Sequence, residues 1–288
     1  MRVGALAYHV ERLASPEALH AKLDGLFAEA APDLAVLPEY AALEAALIDA
    51  PAEATPLEWR DRAAARADEW LDAARRVARA RGCYLLAGSG LVQTARGHVN
   101  RAWLIGPDGT VQSQDKLILT PYERDVLDLV GGTGLTLCDT ALGKIGILVC
   151  YDSEFPLLAR ALIEAGAEIL LVPSCTDLPQ GQTRVRVSAR ARAVEGQCLV
   201  VQAPLVGAVA GCEIIDVSTG RAALFTPPDL GLPETGILAE STPDEPGWSV
   251  ADIDLAHVTA ARRSGQVGNV THWPEQEKAA REVTVARL

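Results

Sequence analysis

The 288-residue sequence predicts an α/β fold in which two mixed sheets pack face to face with helices outside. Three observations lead there. Short apolar runs alternate with helical patterns, and strand–helix–strand units imply parallel pairing. Two hairpin signals imply antiparallel pairing as well: IGPDGTV, with Pro107-Asp108-Gly109 between apolar runs, and CDTALGKIG, which turns at Leu142-Gly143. The resulting strands number about ten, more than one open sheet holds comfortably.

In chain order, a strand is predicted over Met1–Tyr8. Ser15 and Pro16 then start a helix, Pro16–Ala30, with serine as N-cap and proline at the first helical position. Leu34–Leu37 is a short apolar strand stopped by Pro38, and Glu58–Arg81 is a long helical pattern. Strands Tyr84–Gly90, Val99–Ile105 and Val111–Lys116 follow, the last two joined by the first hairpin. Lys144–Cys150 is an arm of the second hairpin, a short helix follows Phe155, and Ile169–Pro173 is the next strand. Gln182–Glu195 is helical; Cys198–Ala203, Cys212–Asp216 and Trp248–Ile253 complete the strands, with Thr226–Gly236 as loop. No repeat divides the chain, so one domain is expected over residues 1–265, with 266–288 a C-terminal tail packing on it or on a partner subunit.

Composition narrows the function. At 49% hydrophobic and 22% charged, the chain is rich enough in apolar residues to bury a core. A net charge of −12 argues against a nucleic-acid surface, which needs a basic patch. The sequence has no apolar run of membrane-spanning length and opens directly on a strand, so a cytoplasmic location is expected. The six cysteines form no CxxC pair and no zinc-ligand spacing, so most are expected as small buried hydrophobes.

Three positions share a pattern, an apolar strand that ends in a reactive side chain. They are Glu39 in DLAVLPEY, Lys116 in VQSQDKLIL and Cys150 in GKIGILVCYDSEFP. Strand ends in α/β architectures are where sites assemble. Lys116 is one of only four lysines against 22 arginines, which suits a position needing a compact ammonium. A cysteine attacks as the thiolate, so it needs a base to remove its proton and a donor to hold the charge that forms on its substrate. A glutamate can be that base and a lysine that donor. The backbone N–H of Tyr151, just after the thiol, can be a second donor.

The ordered segments LPEY, DKLILTPYERD and ILVCYDSEFP resemble the Glu-Lys-Cys triad of the nitrilase superfamily, the carbon–nitrogen hydrolases. NRAWLIGPDGTVQSQDK, AEILLVPSC, SARARAVEG and GQVGNVTHWP resemble other stretches of that family, so the likeness covers most of the chain. It departs at Gly196 and Ala203, where asparagine is usual, and at Glu154, where many amidases have arginine. The resemblance implies a four-layer α-β-β-α sandwich and an amidase-like enzyme. In it Cys150 attacks a small-molecule amide, Glu39 moves protons, and Lys116 with the Tyr151 N–H holds the oxyanion. Glu123 would be a second glutamate orienting Lys116 or substrate, with no metal or organic cofactor. Tyr122, Glu154 and Asp177 are expected to bind substrate, and Asp152, Glu154 and Asp177 to ring the mouth with acids. That ring would favour a neutral or cationic substrate. A homodimer or larger homo-oligomer is expected, through the helix after the nucleophile and the helix containing Ser188–Glu195. Three alternatives remain at this point: a Cys–His pair using His9, nitrile hydrolysis or acyl transfer on the same triad, and a non-catalytic binding member of the fold.

Overall fold

The computed structural model describes residues 1–279 and 283–286. Among them the strands are β1 (Arg2–Ala7), β2 (Leu34–Val36), β3 (Tyr84–Thr94), β4 (Gly97–Ile105), β5 (Val111–Asp115), β6 (Leu137–Thr140), β7 (Gly143–Ile147), β8 (Ile169–Ser174), β9 (Leu199–Pro204), β10 (Ala223–Phe225), β11 (Ile237–Glu240) and β12 (Gly247–Asp252). The helices are α1 (Pro16–Ala30), α2 (Leu43–Leu47), α3 (Pro56–Arg81), α4 (Pro121–Asp125), α5 (Pro156–Glu164), α6 (Pro179–Gly196), α7 (Leu255–Ser264) and α8 (Asn269–Ala279).

Two six-stranded sheets result, in the orders β12-β1-β2-β3-β4-β5 and β11-β10-β9-β8-β7-β6. Each has a parallel centre, β1-β2-β3 or β7-β8-β9, flanked by antiparallel strands. The expected pair of mixed sheets is therefore what forms, and the period-2 alternation of β1 shows how they stack. Val3, Ala5 and Ala7 face the second sheet in one buried cluster, with Leu34, Ile145, Leu170 and Val200. Leu6 and the following Tyr8 face the other way, toward Leu19, Phe27, Trp59 and Trp70 of α1 and α3. Ala159 and Leu162 of α5 and Val185 and Ala189 of α6 join the first cluster from beyond the second sheet. The order of layers is thus helix, sheet, sheet, helix.

Helix ends follow local chemistry. The Ser15 hydroxyl accepts from Ala18 N at 3.2 Å, with Pro16 opening α1 as expected. The long helix begins at Pro56, two residues before the sequence reading, because Thr55 and Glu58 form a capping box. Gly82, at φ 63°, closes it in the left-handed region.

Several elements differ from expectation. Cys212–Asp216 is not a strand: its middle, Glu213–Ile215, is a 3₁₀ turn. Cys212 N closes a turn onto Val209 O at 3.2 Å instead of entering a ladder. The second sheet takes β10 and β11 at that end, strands too short to stand out as runs. The paired strand leading to the thiol ends at Ile147, not Cys150. The segments 41–57 and 118–132, to which the sequence assigns no element, contain α2 and α4. Beyond Ser264, α8 carries Val270 and Trp273 against the inter-sheet core, and Val270 N donates to Gln197 Oε1 at 3.2 Å. None of the described helices is long and apolar enough to cross a membrane.

Candidate active site

Glu39, Lys116 and Cys150 converge at the ends of β2, β5 and β7, on the edge shared by the two sheets. Each is placed by a specific local event. Pro38 cannot continue the β2 ladder, so the chain leaves the sheet and delivers Glu39 inward. Lys116 N still donates to Asn100 O at 2.8 Å, which extends β5's registry by one residue and fixes the lysine's direction. Cys150 has φ 50°, a left-handed backbone rare for a residue with a Cβ. It turns the chain from β7 into the 3₁₀ turn Cys150–Glu154. That turn is tied down by Ser153 Oγ donating to Cys150 O at 2.6 Å and by buried Arg192 of α6 donating to Ser153 O at 3.2 Å. The Tyr151 N–H lies just before the turn's first backbone bond, Asp152 N to Val149 O at 3.0 Å.

The ammonium of Lys116, 1% exposed, lies 2.8 Å from Glu39 Oε1 and 2.8 Å from Glu123 Oε2. An ammonium has three protons. Two go to these carboxylates, and the third remains for the cavity that Lys116 lines beside Cys150. Glu39 also accepts from Asn100 Nδ2 at 2.9 Å and from Cys175 N at 2.9 Å, and it reaches the Cys150 thiol. The thiol in turn points toward Cys175 O at 3.6 Å.

Glu123 is the more heavily bonded of the two acids. Oε1 accepts from Tyr40 at 2.8 Å and Asn100 at 3.0 Å. Oε2 accepts from Thr120 N at 2.9 Å and Thr120 Oγ1 at 3.0 Å, besides Lys116. The Thr120 contacts are the capping box of α4, so one glutamate starts a helix and grips the lysine.

The two acids are thereby pushed apart. Burial raises the pKa of Glu39, with the Glu123 charge adding to it and Lys116 only partly opposing. Burial also works against ionisation of Glu123, but the Lys116 charge and the donors around it outweigh this and lower its pKa. Divergence of this kind separates a permanent anion, Glu123, from a group suited to carry a proton, Glu39. Burial and the nearby Glu39 charge raise the Cys150 thiol well above its ordinary value. At rest it is a thiol, and any attack by the sulfur would require that proton to leave. Burial opposes the charge of Lys116, yet Glu123 and Glu39 hold its pKa above the usual lysine value.

A cavity of about 670 Å³ opens above this cluster. Tyr122, Glu154 and Asp177 line it. So do Glu213 and Asp216, from the 3₁₀ turn that replaces the expected strand. Asp152 belongs elsewhere: it is 1% exposed and accepts from Leu117 N at 3.2 Å and Ile118 N at 2.8 Å. It therefore anchors the strand end that carries Lys116, and the ring of acids at the mouth lacks it. Burial raises its pKa to about 6 against the pull of these backbone bonds. His9 contacts Val206 O at 3.2 Å and is absent from the cavity wall, so a Cys–His pair does not form. Among the described residues, no group of three or more His, Cys, Asp or Glu side chains is arranged to hold a metal ion.

Asn100 was missed in the sequence, where it reads as an ordinary residue of the strand Val99–Ile105. It is wholly buried and donates to both carboxylates. A flipped amide would set its oxygen against two anions, so the network fixes its orientation. Replacing Asn100 with leucine removes a donor from the ionised form of Glu39. The acidic limb of the kcat/KM–pH profile should then move to higher pH, with kcat/KM down about tenfold at neutral pH, the cost of one hydrogen bond to a charged group. An unmoved limb would mean that Asn100 only fills space.

The architecture is a four-layer sandwich of two mixed sheets with a buried carboxylate, ammonium and thiol at their shared edge. The chain belongs to the carbon–nitrogen hydrolase family, whose model matches residues 3–263. It is 37% identical to YhcX of Bacillus subtilis (strain 168) over 183 residues, 64% of this chain and 36% of that protein. It is 43% identical to the deaminated glutathione amidase of Yersinia enterocolitica over 96 residues, 30% of this chain and 34% of that one. The matched stretches thus span about a third of these relatives' own length. The fold is similar to that of a variant amidase from Nesterenkonia sp. AN1 with acrylamide added at its active site cysteine. The TM-score is 0.66 at 23% identity, over 97% of this chain and 99% of that one.

Proposed function

We propose that this carbon–nitrogen hydrolase cleaves the amide bond of a small molecule through a thioester on Cys150. The observation that carries the reading is the buried Lys116 ammonium, pinned by Glu39 and Glu123 with one proton left over beside a thiol. Substrate carbonyl carbon is attacked by Cys150 Sγ as the thiol proton passes to Glu39. The C–S bond forms, and the carbonyl electrons move onto oxygen, which accepts from Lys116 and from Tyr151 N–H. Preorganised donors of this kind are worth roughly 2.7–4 kcal/mol each. Collapse breaks the C–N bond, and the leaving amine or ammonia takes the proton from Glu39. Water then attacks the thioester, giving a proton to Glu39. A second collapse releases the acid, and the proton returns to sulfur. Glu123 stays ionised throughout and holds Lys116 in place.

Intact-mass spectrometry during turnover of a simple amide tests the scheme. Wild type should show an acyl adduct that maps to Cys150, together with ammonia release, and Cys150→Ala should show neither. Ammonia release that survives in Cys150→Ala would end the thioester reading.

We further propose self-association through α5 and α6, whose Leu157, Val187 and Val194 are exposed apolar side chains in the single chain. Light scattering that returns the mass of one chain would contradict this.

A further inference from the structure

The two donors proposed for the oxyanion arrive from different sheets: Lys116 follows β5 of the first, and the Tyr151 N–H follows β7 of the second. An oxygen that accepts from both must find them at a fixed separation. The backbone of Lys116 is held on its own side, its N–H donating to Asn100 O and its carbonyl accepting from Gly132 N, each at 2.8 Å. The next two amides turn to the other sheet. Leu117 N lies 3.2 Å from each carboxylate oxygen of Asp152, and Ile118 N lies 2.8 Å from Oδ1. Asp152 is the residue directly after Tyr151. Among the described residues, every hydrogen bond between the turn Cys150–Glu154 and residues 116–120 ends on this carboxylate.

The same carboxylate works against the fold. It is 1% exposed, and the nearby Lys116 ammonium already pairs with Glu39 and Glu123. Arg192 of α6 reaches the turn but donates to Ser153 O. Burial, with the Glu39 charge adding to it, pushes the pKa of Asp152 up to about 6 despite the two amides and Lys116. Stability is therefore lost as pH rises from the ordinary carboxylate range through that value, and at pH 8 the ionised form weakens the fold. An asparagine could accept from Ile118 N with no charge to bury. An acid where a neutral amide is the more stable choice points to a task other than stability.

We propose that Asp152 is a positioning residue that sets the spacing of the two oxyanion donors, holding the Tyr151 N–H against the Lys116 ammonium across the gap between the sheets. As an anion it grips the Leu117 and Ile118 amides more strongly than a neutral oxygen can. This role rests on the thioester reading of the site.

Three probes test it in wild type and Asp152→Asn. Butanamide reports turnover. Butanal adds to Cys150 as a thiohemiacetal: the C–S bond forms, the carbonyl electrons move to oxygen, and the thiol proton is passed on, so that oxygen takes the oxyanion's place without turnover. Methyl methanethiosulfonate gives Cys150 its methylthio group as methanesulfinate leaves, and no charge develops at the two donors. Asp152→Asn should unfold in urea at pH 8 no earlier than wild type. Its Cys150 should react with the thiosulfonate, and its KM for butanamide should stay, within about threefold of wild type. Its kcat should fall about tenfold or more, and the dissociation constant of butanal, read as protection of Cys150 from the thiosulfonate, should rise by about the same factor. Unchanged kcat and butanal affinity overturn the proposal. So does a variant that unfolds earlier and loses thiol reactivity in step with kcat, since Asp152 would then only brace the fold. A wild type that binds butanal but hydrolyses no amide ends the hydrolytic scheme, and the ratio of butanal affinities still decides the role of Asp152. A wild type whose Cys150 butanal does not protect overturns the proposal, whether or not amides are hydrolysed.

Discussion

Lys116→Met should abolish measurable amide turnover and destabilise the fold in the same protein. The ammonium lies between two carboxylates that are 1% and 2% exposed. Removing one partner of such a buried cluster leaves uncompensated charge, which costs about 3–5 kcal/mol. On the proposed scheme the rate loses both the oxyanion donor and the group that holds Glu39 against the thiol, so kcat/KM should fall by roughly 10³ or more. The instability should itself depend on pH. Without the cation, both carboxylates have pKa values above those in the unfolded chain. Stability is then greatest where they are protonated and is lost as pH rises through those values. Urea unfolding should therefore find the variant closer to wild type near pH 5 than near pH 8. A variant as stable as wild type at both would mean that the ammonium is not what neutralises the pair.

Glu39→Gln should lower kcat/KM by roughly 10² to 10⁴, the usual worth of a positioned general base. The swap is not a neutral isostere here. Oε1 accepts from Lys116 and Asn100, and Oε2 accepts from Cys175 N. A glutamine has one oxygen, so its NH₂ must face one of these donors, at a cost of roughly 1–3 kcal/mol. In wild type, kcat/KM should decline as pH falls through the raised pKa of Glu39, because the proposed base becomes protonated. That limb should be missing from the residual activity of the variant. Retention of activity within a few-fold, or of the limb, would remove Glu39 as the proton carrier.

Much of this could be read from the chain itself. Glu39 and Cys150 each follow an apolar run, and a side chain at the end of a buried strand has few places to go except the edge shared by the sheets; Lys116 follows the mostly polar strand Val111–Asp115 and is marked instead by the scarcity of lysine in the chain. The role of Glu123 in starting α4 was also legible, since Thr120-Pro121-Tyr122-Glu123 is a capping-box spacing. Asn100 was not. Inside an ordinary strand, the face a polar residue takes depends on pairing and on what lies across the layer, and neither is local. Cys212–Asp216 has the composition of a strand, but no ladder is available to it after Gly211, and tertiary context overrides propensity. Asp152 reads as a mouth residue beside Glu154. In a 3₁₀ turn, successive side chains fan outward, so Asp152 turns inward to the Leu117 and Ile118 amides while Glu154 reaches Arg184.

The site straddles a seam. Glu39, Asn100 and Lys116 arrive on one sheet, while Cys150 and the Cys175 amide arrive on the other. Neither half holds the whole cluster, so on the proposed scheme chemical competence is a property of the docked pair and develops only when the interface between the sheets closes. On that scheme a nascent or partly unfolded chain would carry an inert thiol, and the rate at which Cys150 becomes acylable during refolding would be a clock for that docking.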